Sequence, residues 1–378
     1  MKKYLIHIAV FLLMLTPASH AAYIDTDAEV AVVIDGHTGK VLFSKDKDKK
    51  TYPASMTKIM TTLIIFEKLA NETLSLDDKF LVSEKAWRER EGSSMFVEVD
   101  KEIRVEDLLR GIIVQSGNDA CIVVAENIAG TEESFAKMMT QKAKEIGMKN
   151  TNFTNSTGMY DKDNYSTVYD IALLSMHLIN EYPQYYHLFA ETEFEWSGIK
   201  QNNRNSLLYK NMGVDGLKTG HLSKSGYGLA ASAVDQNRRV ISVVNGFEST
   251  QKRTQGSSRL ITWAFREFTN LKLFEKEDIV GQVEISGASS KESDVSTGEE
   301  IIITVPKSKR DGLTTNIVVD DNISAPLNAG DKVGYLEISV PGEENQTYEL
   351  YATNEIDRSN IFVRFFNYLI NLILSLFN

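Results

Sequence analysis

The chain has 378 residues, 42% of them hydrophobic, and a formal net charge of −11. That length suits one large domain with a smaller companion, or two comparable ones, and the apolar share is that of a globular protein with a sizeable core. An acidic chain without a basic cluster excludes nucleic acid as the main partner.

The first residues have the composition of a secretory leader. Lys2 and Lys3 form a positive start, residues 6–15 are apolar apart from His7, and Ser19-His20-Ala21 places small residues at both cleavage positions. Cleavage after Ala21 is expected. The apolar stretch is too short to span a membrane. Loss of Lys2 and Lys3 takes 41 basic residues to 39 against 52 acidic ones, a mature net charge near −13.

Residues 31–34 and 41–43 read as two strands around the turn Asp35-Gly36-His37-Thr38-Gly39. Pro53 then opens a helix over 55–69, with Met60, Leu63, Ile64 and Leu69 supplying apolar faces. Further helices are expected over 105–114, 119–128 (stopped by Gly130) and 168–179 (with Pro183 beyond its end). The single cysteine, Cys121, lies in the apolar run Cys121-Ile122-Val123-Val124-Ala125, which points to a buried structural thiol and no internal disulfide. The histidines (His7, His20, His37, His177, His187, His221) show no ligand spacing, so neither a metal site nor another cofactor is expected.

From Val214 the pattern turns to strands, with small and β-favouring residues over 216–232, a turn at Asp235-Gln236-Asn237 and a β-branched run over 240–244. Residues 260–268 return to helix. Strands at both ends with helices between them predict an α/β unit whose terminal segments share an antiparallel sheet. After 275 short strands (279–285, 301–305, 316–319) alternate with turn residues, the pattern of a small all-β domain over 276–350. In the last segment Asn360, Arg364, Asn367, Asn371 and Ser375 interrupt a run of Phe, Leu and Ile at helical spacing. That pattern fits a helix lying in a membrane interface, and also one packed on the protein's own core or in an oligomer. The expected division is a signal peptide 1–21, a catalytic domain 22–275, a β-rich domain 276–350 and an amphipathic anchoring helix 351–378.

Three motifs occur in order. Ser55-Met56-Thr57-Lys58 places a serine and a lysine at i and i+3, on one helix face. A serine hydroxyl needs a neighbouring base, and lysine serves as one only when burial or nearby positive charge lowers its pKa; Lys218 is the expected neighbour. Alone the pattern is equally a helix start with a solvated lysine, and a chain this long holds about one such match by chance. Ser116-Gly117-Asn118 follows between two helices, where Asn118 also reads as a helix cap and Ser116 as a proton relay. Lys218-Thr219-Gly220 begins a strand, where a lysine also guards an exposed edge. Together the motifs say more than any one of them, because each falls on the element its chemistry requires: helix start, inter-helix loop, strand start.

With these motifs the chain resembles the low-molecular-mass penicillin-binding proteins, specifically the serine-type D-alanyl-D-alanine carboxypeptidases. The likeness extends through Tyr52-Pro53-Ala54-Ser55-Met56-Thr57-Lys58, Gly111-Ile112-Ile113-Val114-Gln115-Ser116-Gly117-Asn118-Asp119-Ala120, Val214-Asp215-Gly216-Leu217-Lys218-Thr219-Gly220-His221 and Gly226-Tyr227-Gly228-Leu229-Ala230-Ala231-Ser232. It covers residues 25–270 closely and the rest more loosely. The resemblance implies an α/β (α+β) penicillin-recognising serine transpeptidase/β-lactamase-like catalytic domain, with an antiparallel sheet and a helical cluster, followed by a small all-β domain. It further implies that Ser55 attacks the peptide carbonyl between two terminal D-alanines of a peptidoglycan stem peptide, with Lys58 as base and Ser116 delivering the proton to the leaving amine. Asn118 would hold the acyl amide, Lys218 and Thr219 the terminal carboxylate, and the N–H groups of Ser55 and His221 the oxyanion. Gly220 would leave room for substrate along the strand, while Arg204 and Arg253 match arginines near the family's cleft. β-Lactam antibiotics would acylate Ser55 stably.

Three other readings share these residues. A class A β-lactamase needs a deacylating glutamate, and no E-x-x-L-N pattern occurs between Asn118 and Lys218. A D,D-endopeptidase uses the same chemistry on cross-links. A non-catalytic wall-binding protein would have no need to keep every one of these side chains.

Overall fold

The computed structural model describes residues 24–88, 91–289 and 292–360. The chain folds as two compact units. One holds Ile24–Glu275 together with Glu300–Thr304, and the other holds Lys276–Glu299 and residues 305–360.

The first unit is built on a five-stranded sheet. β1 (Val30–Asp35) and β2 (Val41–Lys45) form the opening hairpin, and β3 (Val214–Leu222), β4 (Gly226–Asp235) and β5 (Arg238–Phe247) come from the far end of the segment. The order is β2-β1-β5-β4-β3, antiparallel throughout, so β1 lies beside β5 with Val33 opposite Ser242. The terminal segments thus share the sheet, as the alternation of strands and helices predicts, and β3 is left as a free edge. Gln236 and Asn237, both at positive φ (47° and 66°), make the two-residue turn between β4 and β5.

The longer helices are α1 (Lys58–Ala70), α2 (Val105–Ile113), α3 (Asn118–Ala129), α4 (Glu132–Glu145), α5 (Val168–Glu181) and α6 (Thr250–Glu267). α1 is central. Ile59, Met60, Leu63, Ile64, Ile65 and Phe66 all lie buried around it, which is the character of a helix enclosed on every side. α4 and α6 differ from the sequence expectation. α4 has no counterpart in it: Phe135, Met139 and Ala143 supply the buried stripe on an otherwise polar helix, and Thr131 caps it by accepting from Ser134 N. α6 starts ten residues before the expected 260, capped by Ser249, and ends before Phe268, which is strand. Its first turns carry Thr254 and Ser257 inward, so the apolar period is hidden there.

The second unit is an antiparallel sheet in the order Gly281–Val283, Ser293–Ser296, Gln346–Ala352, Lys332–Ser339, Thr314–Val319. Alternate residues Leu336, Ile338, Leu350 and Ala352 face its core. This unit runs past the expected boundary at 350. Gln346–Ala352 is a strand, and bridges join Ile356 to Leu327 and Arg358 to Ala288, so an anchoring helix does not begin at 351. The leader 1–21 and the amphipathic stretch 361–378 lie outside the described residues.

Candidate active site

Ser55 does not sit in an α-helix. It is the second residue of a 3₁₀ turn, Ala54–Thr57, and α1 begins at Lys58. A 3₁₀ turn has three residues per turn, so side chains at i and i+3 eclipse. Ser55 and Lys58 meet for this reason, with Lys58 Nζ 3.1 Å from Ser55 Oγ. Ala54 enters the turn at φ 50°, a left-handed conformation that costs a non-glycine residue about 1–3 kcal/mol and marks a constrained position.

Lys58 is buried, and its Nζ donates to Asn118 Oδ1 at 2.7 Å and to the Thr157 carbonyl at 2.6 Å. Both are acceptors only. A neutral amine has two N–H bonds and one lone pair, so these contacts leave the lone pair for the Ser55 hydroxyl. Burial lowers the Lys58 pKa, and the Arg204 guanidinium pushes the same way. Lys218 is the neighbouring cation expected in this role, and the repulsion between Lys58 and Lys218 is present; Arg204 adds a second positive charge that the sequence does not announce. Lys218 is itself buried beside Thr219 and is held well below the usual lysine range, first by burial and then by the charges of Lys58 and Arg204.

Two loops hold these groups in place. Asn155 Oδ1 accepts from the N–H groups of Thr157 (3.3 Å) and Gly158 (2.7 Å), folding a turn that aims the Thr157 carbonyl at Lys58. Gly158 is required there. Its φ is 82°, and a Cβ would lie 1.9 Å from the Ala54 carbonyl oxygen. The other loop is organised by Asp119, whose buried carboxylate accepts from Met95 N (2.8 Å), Phe96 N (2.8 Å), Val97 N (3.0 Å) and Ser94 Oγ (2.7 Å). Asn118 ties down the same loop, donating from Nδ2 to the Glu91 carbonyl at 2.8 Å and from its backbone N–H to the Ser93 carbonyl at 2.7 Å. Sequence reasoning passes over Thr157, Asp119 and this loop. The Asn155-Ser156-Thr157-Gly158 turn chemistry is a local signal for the Thr157 turn alone.

A cleft of about 420 Å³ opens over Ser55. Ser116, Arg204, Thr219, Gly220, His221 and Arg253 line it, joined by Gly92, Ser93, Tyr227 and Thr250. Every residue singled out from the sequence is therefore in this wall or, like Lys58, Asn118 and Lys218, buried against it. Ser116 stands at φ 61°, its loop bent toward the cleft. Gly220 allows β3 to pass the Ser55 turn closely, since a Cβ would lie 2.7 Å from the Pro53 carbonyl oxygen. The His221 ring stacks on Tyr227 with centroids 3.9 Å apart. Arg204 donates to Ser93 Oγ, and Arg253 Nη2 donates to the Arg204 carbonyl at 3.3 Å. Arg253 is 4% exposed and its Nε is buried without a partner among the described residues. Burial pulls its pKa down to about 10. An unpaired buried N–H costs about 1–3 kcal/mol, so this wall is suited to an incoming carboxylate.

A serine paired with a buried lysine at the start of the central helix, facing the free edge of an antiparallel sheet, defines a serine hydrolase of the Ser-x-x-Lys type. The family model described as D-alanyl-D-alanine carboxypeptidase matches residues 16–249, and that of the penicillin-binding protein 5 C-terminal domain matches residues 268–358. The chain is 33% identical over 356 residues (93% of its length, 91% of the relative's) to D-alanyl-D-alanine carboxypeptidase DacA of Haemophilus influenzae. Penicillin-binding protein 5 from Haemophilus influenzae superposes with a TM-score of 0.84 at 32% identity, covering 90% of this chain and 100% of that one. Penicillin-binding protein D2 from Listeria monocytogenes, solved in its ampicillin-bound form, superposes with a TM-score of 0.59 at 29% identity, covering 64% of this chain and 99% of that one. The chain belongs to the D-alanyl-D-alanine carboxypeptidase family of serine peptidases, with the C-terminal domain of penicillin-binding protein 5.

Proposed function

We propose that the enzyme removes the terminal D-alanine from peptidoglycan stem peptides through an acyl-enzyme on Ser55. The observation that carries this reading is the double use of the Lys58 amine by Asn118 and Thr157, which leaves its lone pair for Ser55. Lys58 Nζ takes the hydroxyl proton as Oγ bonds to the carbonyl carbon between the two D-alanines. The N–H groups of Ser55 and His221 receive the oxyanion. The C–N bond then breaks, Ser116 passes a proton to the leaving amine, and free D-alanine departs. Water hydrolyses the ester and returns the proton to Oγ. Thr219, Lys218, Arg204 and Arg253 hold the terminal carboxylate, and Asn118 the acyl amide. A β-lactam follows the first half of this course and stays on Ser55.

Mass spectrometry of muropeptides incubated with wild type and Ser55→Ala tests the reading. Loss of one alanine with the wild type alone is expected. Fast penicillin turnover without D-alanine release would make the protein a β-lactamase, and release of cross-links without D-alanine an endopeptidase.

The same proposal places the site outside the cytoplasm, at the outer face of the membrane. The Lys2-Lys3 start, the apolar run over 6–15 and the one-sided polar spacing from Asn360 to Ser375 support it. Cleavage after Ala21 is read by N-terminal sequencing. A chain truncated before Asn360 that still fractionates wholly with membranes would remove the anchor from the proposal.

A further inference from the structure

A cation–aromatic cluster beside the cleft has no part in the chemistry above. Lys224 lies in the turn between β3 and β4. Its Nζ donates to Tyr160 Oη at 2.8 Å and stands 4.0 Å from the centre of the Tyr160 ring. The Tyr52 ring meets Tyr160 edge to face, with centroids 5.1 Å apart. Each member comes from a segment tied to the nucleophile. Tyr52 precedes Ser55 by three residues, and Tyr160 follows the turn that presents the Thr157 carbonyl to Lys58. Ser225, next to Lys224, donates from Oγ to the Tyr52 carbonyl at 3.0 Å. Tyr160 is 44% exposed and Lys224 is exposed, so the cluster faces solvent at the rim.

Strand direction decides what reaches it. β3 is the free edge of its sheet and runs from Val214 to Leu222. A peptide that pairs antiparallel with this edge, its terminal carboxylate at Thr219 and Arg253, carries its upstream residues past His221 and Leu222 toward Lys224. The Lys224 ammonium has three N–H groups and uses one on Tyr160. Resting on the carboxypeptidase reading, we infer that Lys224, Tyr160 and Tyr52 form a subsite for a side-chain carboxylate on the acyl half of the stem peptide, upstream of D-Ala-D-Ala. The ammonium receives the carboxylate, and the two rings pack against the carbon chain that bears it.

The test is titration calorimetry on the Ser55→Ala protein, which binds without turnover. Two peptides end in D-Ala-D-Ala and differ only in carrying free carboxylates or carboxamides on the two preceding side chains. The charged peptide is expected to bind on the order of fivefold tighter, the range of a rim ion pair, and the ratio is expected to fall to about one in Ser55→Ala/Lys224→Gln. Equal binding of the two peptides, or a ratio that Lys224→Gln leaves unchanged, overturns the subsite. D-alanine release from the charged peptide by wild type reads the carboxypeptidase proposal separately: its absence alongside charge-dependent binding overturns that proposal and supports the subsite.

Discussion

Lys58 Nζ stands 3.1 Å from Ser55 Oγ because a 3₁₀ turn, rather than an α-helix, carries Ser55 into α1. The pair is therefore set by local backbone geometry, and its loss should be felt in chemistry more than in folding. Lys58→Ala is expected to slow acylation of Ser55 by fluorescent penicillin by about 10²–10⁴-fold, the range of a general base. A labelling rate within a few-fold of wild type would show that Lys58 is not the base.

Arg204 bears on the pH dependence. A lysine base acts when neutral, so with Lys58 in the proposed role acylation should rise as pH climbs through its pKa, which burial and then the Arg204 charge hold below the ordinary lysine value. Removing that charge lets the pKa rise. Arg204→Gln is expected to move the ascending limb of the acylation profile to higher pH, read as the midpoint rather than the amplitude of penicillin labelling. An unmoved midpoint would remove Arg204 from the control of Lys58.

Asp119 acts through support rather than through chemistry. Its carboxylate holds three consecutive backbone N–H groups and the Ser94 hydroxyl. Asp119→Ala takes the acceptor from the buried N–H groups of Met95 and Val97, at a cost of about 2–4 kcal/mol. The measurement is urea denaturation, with amide exchange of residues 94–97 rising ahead of global unfolding. Wild-type protection of that loop would assign its order to other contacts.

Gly158→Ala places a Cβ against the Ala54 carbonyl at a positive φ. A destabilisation of about 2–4 kcal/mol is expected. Penicillin labelling in the cold, where the protein is still folded, should fall as well, since the Thr157 carbonyl moves off Lys58. Full labelling of a destabilised protein would separate the turn from the base.

The candidate site residues are legible in the sequence because each is a rigid chemical requirement at a fixed place on an element. Ser55, Lys58, Ser116, Asn118, Lys218 and Thr219 sit in short motifs at a helix start, a loop and a strand edge, and the opening and closing strands declare a shared sheet. What stays hidden depends on the fold. Thr157 contributes a backbone carbonyl, which any residue type possesses, and Asp119 acts on a loop that precedes it by more than twenty residues. Arg204 joins Lys218 in pressing on Lys58, which is a matter of three-dimensional distance. The α6 start is obscured because its early turns bury hydroxyls, and the β-rich unit outruns 350 because its last strand alternates too briefly to be read.

The pairing of β1 with β5 carries a consequence for biosynthesis. Val30 lies opposite Asn245, so the sheet cannot close until more than two hundred residues of intervening chain have been made. Before then the β1–β2 hairpin is a two-stranded ribbon, marginal by itself in water, and β3 has no sheet to edge. A nascent chain halted before Arg238 therefore holds Ser55 and Lys58 without the wall that faces them. Penicillin then labels only chains whose synthesis has passed β5, and the antibiotic becomes a clock for completion of the sheet.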